Sequence, residues 1–222
     1  MNVPSIRATE FSGVFTDGDR LYTMNSAPGH VVYGERTVIV DGKEYREWSV
    51  TRSKLAAYLR NSGRHFPLKE TSSVLYLGAA SGTTASHVAD IAKRGTVYCV
   101  EFSPRSFRDL VAVCETRPNM VPLLADATRP PEFAFAVDTV SLVYQDVAQK
   151  GQAAILAKNM KAFSSPDGML VVKSRSEDVS RTPREVYAMV KGQLEKEGLK
   201  VIETAPLDPM EKDHAMMVVE RT

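Results

Sequence analysis

Val74-Leu75-Tyr76-Leu77-Gly78-Ala79-Ala80-Ser81-Gly82-Thr83-Thr84, with Glu101 downstream, carries the clearest architectural signal in the chain. Four apolar residues form a buried strand. A turn of small residues follows, then the start of a helix, and the next strand ends in a carboxylate. Gly78 and Gly82 let the backbone approach a ligand closely, and Glu101 can accept hydrogen bonds from ribose hydroxyls. The layout suits a nucleoside cofactor. A dinucleotide-binding turn would read G-x-G-x-x-G, but Ala80 stands where the second glycine belongs. The close approach to a pyrophosphate is therefore lost, which disfavours an NAD-dependent oxidoreductase.

Outward from this turn, strand and helix alternate. Strands are predicted at 74–78, 96–101, 120–125, 139–145, 168–174, 199–206 and 214–220, and helices at 83–93, 104–117, 150–163 and 183–197. Apolar strands separated by helices imply a mostly parallel sheet covered on both faces. The last two strands are joined only by Asp208-Pro209-Met210-Glu211-Lys212, too short for a crossover helix, so they should pair antiparallel. A Rossmann-like α/β sheet of seven strands, mostly parallel and ending in an antiparallel hairpin, is the layout of class I methyltransferases dependent on S-adenosylmethionine. That cofactor has no phosphates and does not need the missing glycine.

Before this region, residues 1 to about 50 lack helical periodicity. They carry alternating runs (Val38-Ile39-Val40, Tyr45-Arg46-Glu47-Trp48) and turn signals at Asp17-Gly18 and Asp41-Gly42. The expectation is a small N-terminal β-hairpin region over 1–50 and a methyltransferase domain over 51–222. Arg52 to Arg60 reads as a helix with Leu55, Ala56 and Leu59 on one face.

The 222 residues suit one domain of ordinary size with a small appendage. With 43% hydrophobic and 25% charged residues, the chain can bury a sizeable core. It contains no apolar run long enough to span a membrane, and Met1 to Phe15 lacks a signal-peptide core. Cys99 and Cys114 lack metal-type spacing and read as reduced structural thiols, so an intracellular, cytoplasmic protein without a metal is expected. The net charge of +1 is too low for tight binding of bare nucleic acid. Lys54, Arg52, Arg105, Arg108, Lys173, Arg175, Arg181 and Arg184 form either a basic rim or a mixed solvated surface.

Candidate chemistry falls at strand ends. Glu101 ends the second strand, where ribose hydroxyls would lie. Asp126-Ala127 ends the third, where an acid can bind an adenine amino group. Read as structure alone, these acids are solvated strand ends or helix caps. Asp146 and Lys173 follow apolar strands and should share the edge of Gly78. They are catalytic candidates or a structural ion pair. His214 sits in Glu211-Lys212-Asp213-His214 of the final hairpin.

From about Ala27 to the end, the chain resembles fibrillarin in its shorter archaeal form. The matching segments are Pro28 to Glu35, Trp48 to Ala57, Val74 to His87, Val97 to Arg105, Gln145 to Gln149 and Glu211 to His214. Departures are Ser49-Val50-Thr51, where a Pro-containing link is commoner, and Lys173-Ser174-Arg175, where Lys-Ala-Arg or Lys-Ala-Asn is usual. The resemblance implies a ribose 2′-O-methyltransferase acting on pre-rRNA and tRNA inside a box C/D guide ribonucleoprotein. It puts a catalytic tetrad on Lys54, Asp146, Lys173 and His214. It puts S-adenosylmethionine against Gly78, Thr83, Thr84, Glu101, Phe102, Asp126, Ala127, Asp146, Val147, Ala148 and Gln149. The implied partners are guide RNA, target RNA, a Nop-domain scaffold protein and a kink-turn-binding ribosomal-type protein. Two other readings compete: a methyltransferase acting on a protein side chain or small molecule, and a ribonucleoprotein scaffold with vestigial cofactor binding.

Overall fold

The computed structural model describes residues 5–61 and 63–222. Residues 1–4, part of the expected N-terminal region, lie outside the described residues. Two sheets organise the chain. The first holds β1 (Arg7–Ala8), β2 (Val14–Thr16), β3 (Leu21–Met24), β4 (Thr37–Val40) and β5 (Lys43–Trp48) in the order β1-β2-β3-β5-β4, antiparallel throughout. The expected turns at Asp17-Gly18 and Asp41-Gly42 join β2 to β3 and β4 to β5, within a sheet of five strands.

The second sheet holds β6 (Val74–Leu77), β7 (Val97–Glu101), β8 (Met120–Leu124), β9 (Leu142–Gln145), β10 (Asp167–Lys173), β11 (Leu199–Pro206) and β12 (His214–Arg221). Their order is β11-β12-β10-β9-β6-β7-β8. The strands from β10 to β8 are parallel, and β12 pairs antiparallel with both β10 and β11, as the short link before β12 requires. The helices are α1 (Lys54–Asn61), α2 (Thr83–Ile91), α3 (Pro104–Glu115), α4 (Gln152–Ala162), α5 (Ser174–Glu177) and α6 (Pro183–Lys196).

Every residue of β6 is buried, as expected of a strand covered on both faces. Its alternation divides the core. Val74 and Tyr76 pack with α1, α2 and the N-terminal sheet, while Leu75 and Leu77 pack with α4 and α6. Helix starts follow local chemistry. Pro104 opens α3 behind Ser103, whose Oγ accepts from the Ser106 N–H. Thr182 and Glu185 form a reciprocal capping box at the start of α6. The expected helix at 150–163 begins only at Gln152, because Gly151 is left-handed.

The N-terminal sheet is joined to the rest by a buried ionic cluster. Arg46 is fully buried. It donates from Nε to Glu35 Oε1 at 2.7 Å and pairs through Nη1 with Asp90 Oδ2 at 2.8 Å. Asp90, on α2, also accepts from Thr23 Oγ1 and Ser26 Oγ and lies 3.8 Å from Arg117 Nε. Buried His87 exchanges hydrogen bonds with Thr23 and Tyr33 and stacks on Trp48. A buried charge needs such partners, and here they tie the N-terminal sheet to α2. Cys99 and Cys114 are free and buried.

Candidate active site

The parallel strands run outward from β6 in two directions, through β7 to β8 and through β9 to β10. The strand order therefore reverses at β6. At the carboxyl ends of such a sheet a crevice opens at the reversal point. Here it is a cleft of about 300 Å³ lined by Gly78, Ala80, Val100, Glu101, Phe102, Ala125, Asp126, Ala127 and Asp146 to Gln149. Gly78 is required by its position. It has φ of 82°, and a Cβ would stand 2.8 Å from the Asp146 carbonyl oxygen. Asp146 N donates to Leu77 O at 2.9 Å, so the turn after β6 and the end of β9 form one wall.

Glu101 ends β7. Its Oε2 accepts from Ala80 N at 2.8 Å and its Oε1 from Ser103 N at 2.7 Å, which fixes the carboxylate at the mouth of the turn. Asp126 follows β8. Its Oδ1 accepts from the backbone and hydroxyl of Thr128, both at 2.8 Å. Those Thr128 bonds, with Arg129 and Lys158 nearby, hold the Asp126 carboxyl below its ordinary range, so it is charged at neutral pH. Asp126 is thus not a helix cap: its Oδ1 closes a turn with Thr128, and its Oδ2, 3.9 Å from Arg129 Nε, is the oxygen with ligand capacity. Phe102 is 74% exposed beside the cleft, a large apolar face without cover.

The three charged side chains lining this cleft are Glu101, Asp126 and Asp146, all acidic. An acidic lining repels phosphates. It suits a ligand that presents hydroxyl and amino donors and a positive charge, which fits S-adenosylmethionine and not a dinucleotide. Thr83 and Thr84 are not in the lining. They form the first turn of α2, and Thr84 Oγ1 donates to Ser53 Oγ at 3.0 Å. Val100 and Ala125 line the cleft without having been singled out in sequence, and Ala80, marked there only as standing in place of a glycine, lines it too.

Next to the cleft, Lys54, Asp146 and Lys173 come together from α1, the residue after β9 and the end of β10, with His214 of β12 opposite Lys173 in the strand register. Lys173, the last residue of β10, places Nζ 2.7 Å from Asp146 Oδ1 and donates to the Asp146 carbonyl at 2.9 Å. Lys54, the first residue of α1, places Nζ 3.5 Å from Asp146 Oδ2. Its helix is capped by Ser53, whose Oγ accepts from Ala56 N. His214 opens β12 directly opposite Lys173 in the antiparallel register, hence on the same face of the sheet. The His214 Nδ1 bonds the Lys212 carbonyl at 2.7 Å. A carbonyl only accepts, so Nδ1 carries a proton and donates it here, which leaves Nε2 as the ring nitrogen for another partner.

The remaining sequence-marked cations are spent unevenly. Arg52 lies 5.8 Å over the Tyr33 ring, Arg175 pairs with Asp213 and Arg181 with Asp178. Arg105, Arg108 and Arg184 are exposed. Among the described residues, no group of three or more His, Cys, Asp or Glu could hold a metal ion, and no helix is long and apolar enough to cross a membrane.

Comparison with known proteins agrees with this geometry. The fibrillarin family model matches residues 6–222. The fibrillarin-like rRNA/tRNA 2′-O-methyltransferase of Methanopyrus kandleri is 50% identical over 219 residues, covering 95% of this chain and 94% of that protein. Aeropyrum pernix fibrillarin, solved with natively bound S-adenosyl-L-methionine, superposes with a TM-score of 0.89 at 42% identity, covering 98% and 99% of the two chains. A chain from a fibrillarin/Nop5p complex gives 0.88 at 38% identity, covering 97% and 100%. With its topology, cleft and near-complete match to these proteins, the chain belongs to the fibrillarin family.

Proposed function

We propose that this chain transfers a methyl group from S-adenosylmethionine to the ribose 2′-hydroxyl of nucleotides in rRNA and tRNA, within a box C/D guide ribonucleoprotein. The observation that carries the reading is the juxtaposition of an all-acidic nucleoside cleft with two lysines held on one aspartate at its edge. When bound, S-adenosylmethionine supplies an electrophilic methyl on a cationic sulfur and leaves as a neutral thioether. Glu101 accepts hydrogen bonds from its ribose, Asp126 accepts from its adenine amino group, and Phe102 offers an aromatic face to the base. Gly78, Ala127 and Asp146 to Gln149 complete the walls. Thr83 and Thr84 frame it from the start of α2.

A ribose hydroxyl is a weak nucleophile, and most of the acceleration comes from alignment, about 7–11 kcal/mol at best. The Lys173 and Lys54 ammonium groups place positive charge beside the oxygen as its proton is lost. We assign His214, which faces Lys173 in the strand register, to a proton relay: a lysine that hands its own proton to His214 can then take the hydroxyl proton. Proton management adds about 10²–10⁴-fold.

The guide RNA chooses the target by base pairing, since a chain of net charge +1 lacks the cations for tight binding of bare RNA. The target's 2′-hydroxyl is reached from the wide minor groove of the guide duplex. A Nop-domain scaffold protein docks the enzyme, as the Nop5p complex of a relative supports, and a kink-turn-binding ribosomal-type protein organises the guide. We divide the chain into an N-terminal β region, 1–50, and a methyltransferase domain, 51–222, and place it in the cytoplasm. Alkaline hydrolysis of methyl-labelled RNA tests the acceptor. Label recovered in alkali-resistant dinucleotides supports ribose methylation. Label released in mononucleotides or found on protein refutes it.

A further inference from the structure

β9 pairs with β10 only as far as Gln145 opposite Leu170, whereas β10 continues to Lys173. On its β9 side the end of β10 therefore has no strand to satisfy its backbone. At Lys173 a side chain takes that place. The Gln152 carboxamide donates from Nε2 to Lys173 O at 3.1 Å and accepts at Oε1 from Lys173 N at 2.9 Å. This two-way bond fixes which end of the amide is which. Gln152 is fully buried, and its own backbone is held at both ends. Its carbonyl accepts from Gln145 Nε2 at 2.8 Å, and its N–H donates to Glu177 Oε2 at 3.2 Å. The other Glu177 oxygen accepts from Gly151 N at 3.1 Å. Glu177 thus caps the start of α4 from the short helix that immediately follows Lys173.

We propose that Gln152 is a positioning residue of the reaction: its carboxamide replaces the missing strand at the end of β10 and sets the backbone from which Lys173 reaches Asp146. The Lys173 backbone is held by Gln152 on one side, and on the other the next residue, Ser174, donates to Asp213 O at 3.1 Å. Without the amide, the Lys173 N–H and C=O both lose their partner, because its pair with His214 is not a hydrogen-bonded one: the His214 carbonyl accepts from Leu207 N instead. Nζ then no longer holds a fixed position against Asp146, and loss of alignment by a fraction of an ångström slows a transfer that depends on alignment. The inference rests on the methyl-transfer reading for its kinetic arm and on geometry alone for its exchange arm.

The test uses Gln152→Leu, which keeps size and burial. A second variant, Gln152→Glu, keeps the acceptor toward Lys173 N and loses the donor toward Lys173 O. It serves as well if the first does not fold. Three readouts are taken on the assembled guide complex: single-turnover methyl transfer, cofactor affinity by calorimetry, and amide hydrogen exchange. The expected result is a rate lower by roughly tenfold, cofactor affinity within about twofold, and faster exchange at the Lys173 amide. In a Lys173→Ala background, Gln152→Leu should change the rate by less than about twofold, because the group it positions is gone. A wild-type rate, full additivity with Lys173→Ala, or a parallel fall in cofactor affinity would overturn the proposal. Failure of the unmodified complex to methylate ribose would instead defeat the functional reading. The Lys173 amide would still decide the positioning claim, with unchanged exchange counting against it.

Discussion

Asp146→Asn keeps the shape of a side chain that holds two ammonium groups and removes its charge. In the structure one carboxylate oxygen lies 2.7 Å from Lys173 Nζ and the other 3.5 Å from Lys54 Nζ. Near a protein surface, unit charges about 4 Å apart interact by about 4 kcal/mol. The three side chains are 14%, 15% and 22% exposed, so water screens part of this and each pair retains about 1–2 kcal/mol. The Lys173 bond to the Asp146 carbonyl survives the substitution, so Lys173 is loosened and not released. The two lysines, no longer bridged, repel one another. A loss of about 1.5–3 kcal/mol of alignment and charge placement lowers the single-turnover rate by roughly 10- to 100-fold. Asp146→Ala should fall into the same range, since the charge is what both variants lack. Rates are measured with saturating cofactor, beside calorimetric cofactor binding. A rate within threefold of wild type would refute the reasoning. So would a loss fully accounted for by weaker cofactor binding.

Gly78→Ala should weaken cofactor binding by at least about tenfold in calorimetry, because the new Cβ meets a backbone carbonyl at 2.8 Å and φ is 82°; unchanged affinity would contradict the cleft geometry. Arg46→Met should cost about 3–5 kcal/mol in guanidinium unfolding, since Glu35 and Asp90 are left buried with fewer partners; a loss below 1 kcal/mol would count against the cluster as the link between the sheets. Burial, reinforced by Arg46 and Arg117, holds the His87 imidazole well below the usual histidine range. The unfolded chain takes up this proton near pH 6.5 and the folded chain does not, so the stability from neutral His87 is complete above pH 6.5 and declines below it, by up to about 1.4 kcal/mol per unit. Urea unfolding at pH 7.5 and 5.5 should show this decline, shallower by about one proton in His87→Asn; equal slopes would contradict it.

The parallel sheet, its reversal point and the closing hairpin are legible in the sequence because each rests on local pattern. β6 is an unbroken apolar run, Gly78 marks the turn, and the link before His214 is too short to cross over. The acids at the ends of β7, β8 and β9 follow from that register, and the cleft gathers all three. The N-terminal sheet is less legible because its strands are short, with only two residues in β1 and three in β2. The buried residues of this sheet, Val14 and Leu21, pack in one core with α2, a contact that local propensity does not announce. The run Tyr45-Arg46-Glu47-Trp48 alternates as a strand should, yet its buried face carries Arg46 beside Trp48. Only the distant Asp90 and the loop residue Glu35 make that burial tolerable, and no local pattern encodes them. Gln152 is invisible for the same reason. A glutamine at a helix start has no signature until the fold brings Lys173, 21 positions later, against its amide.

The most direct test of the account is transfer of a labelled methyl group from S-adenosylmethionine to a guide-matched RNA. It compares the chain alone with the assembled guide complex, and a normal target nucleotide with its 2′-deoxy counterpart. Transfer is expected in the complex to the normal target, none to the 2′-deoxy target, and little by the chain alone. Equal transfer to the 2′-deoxy target would place the methyl group on a base or a protein and contradict the assignment of the chemistry.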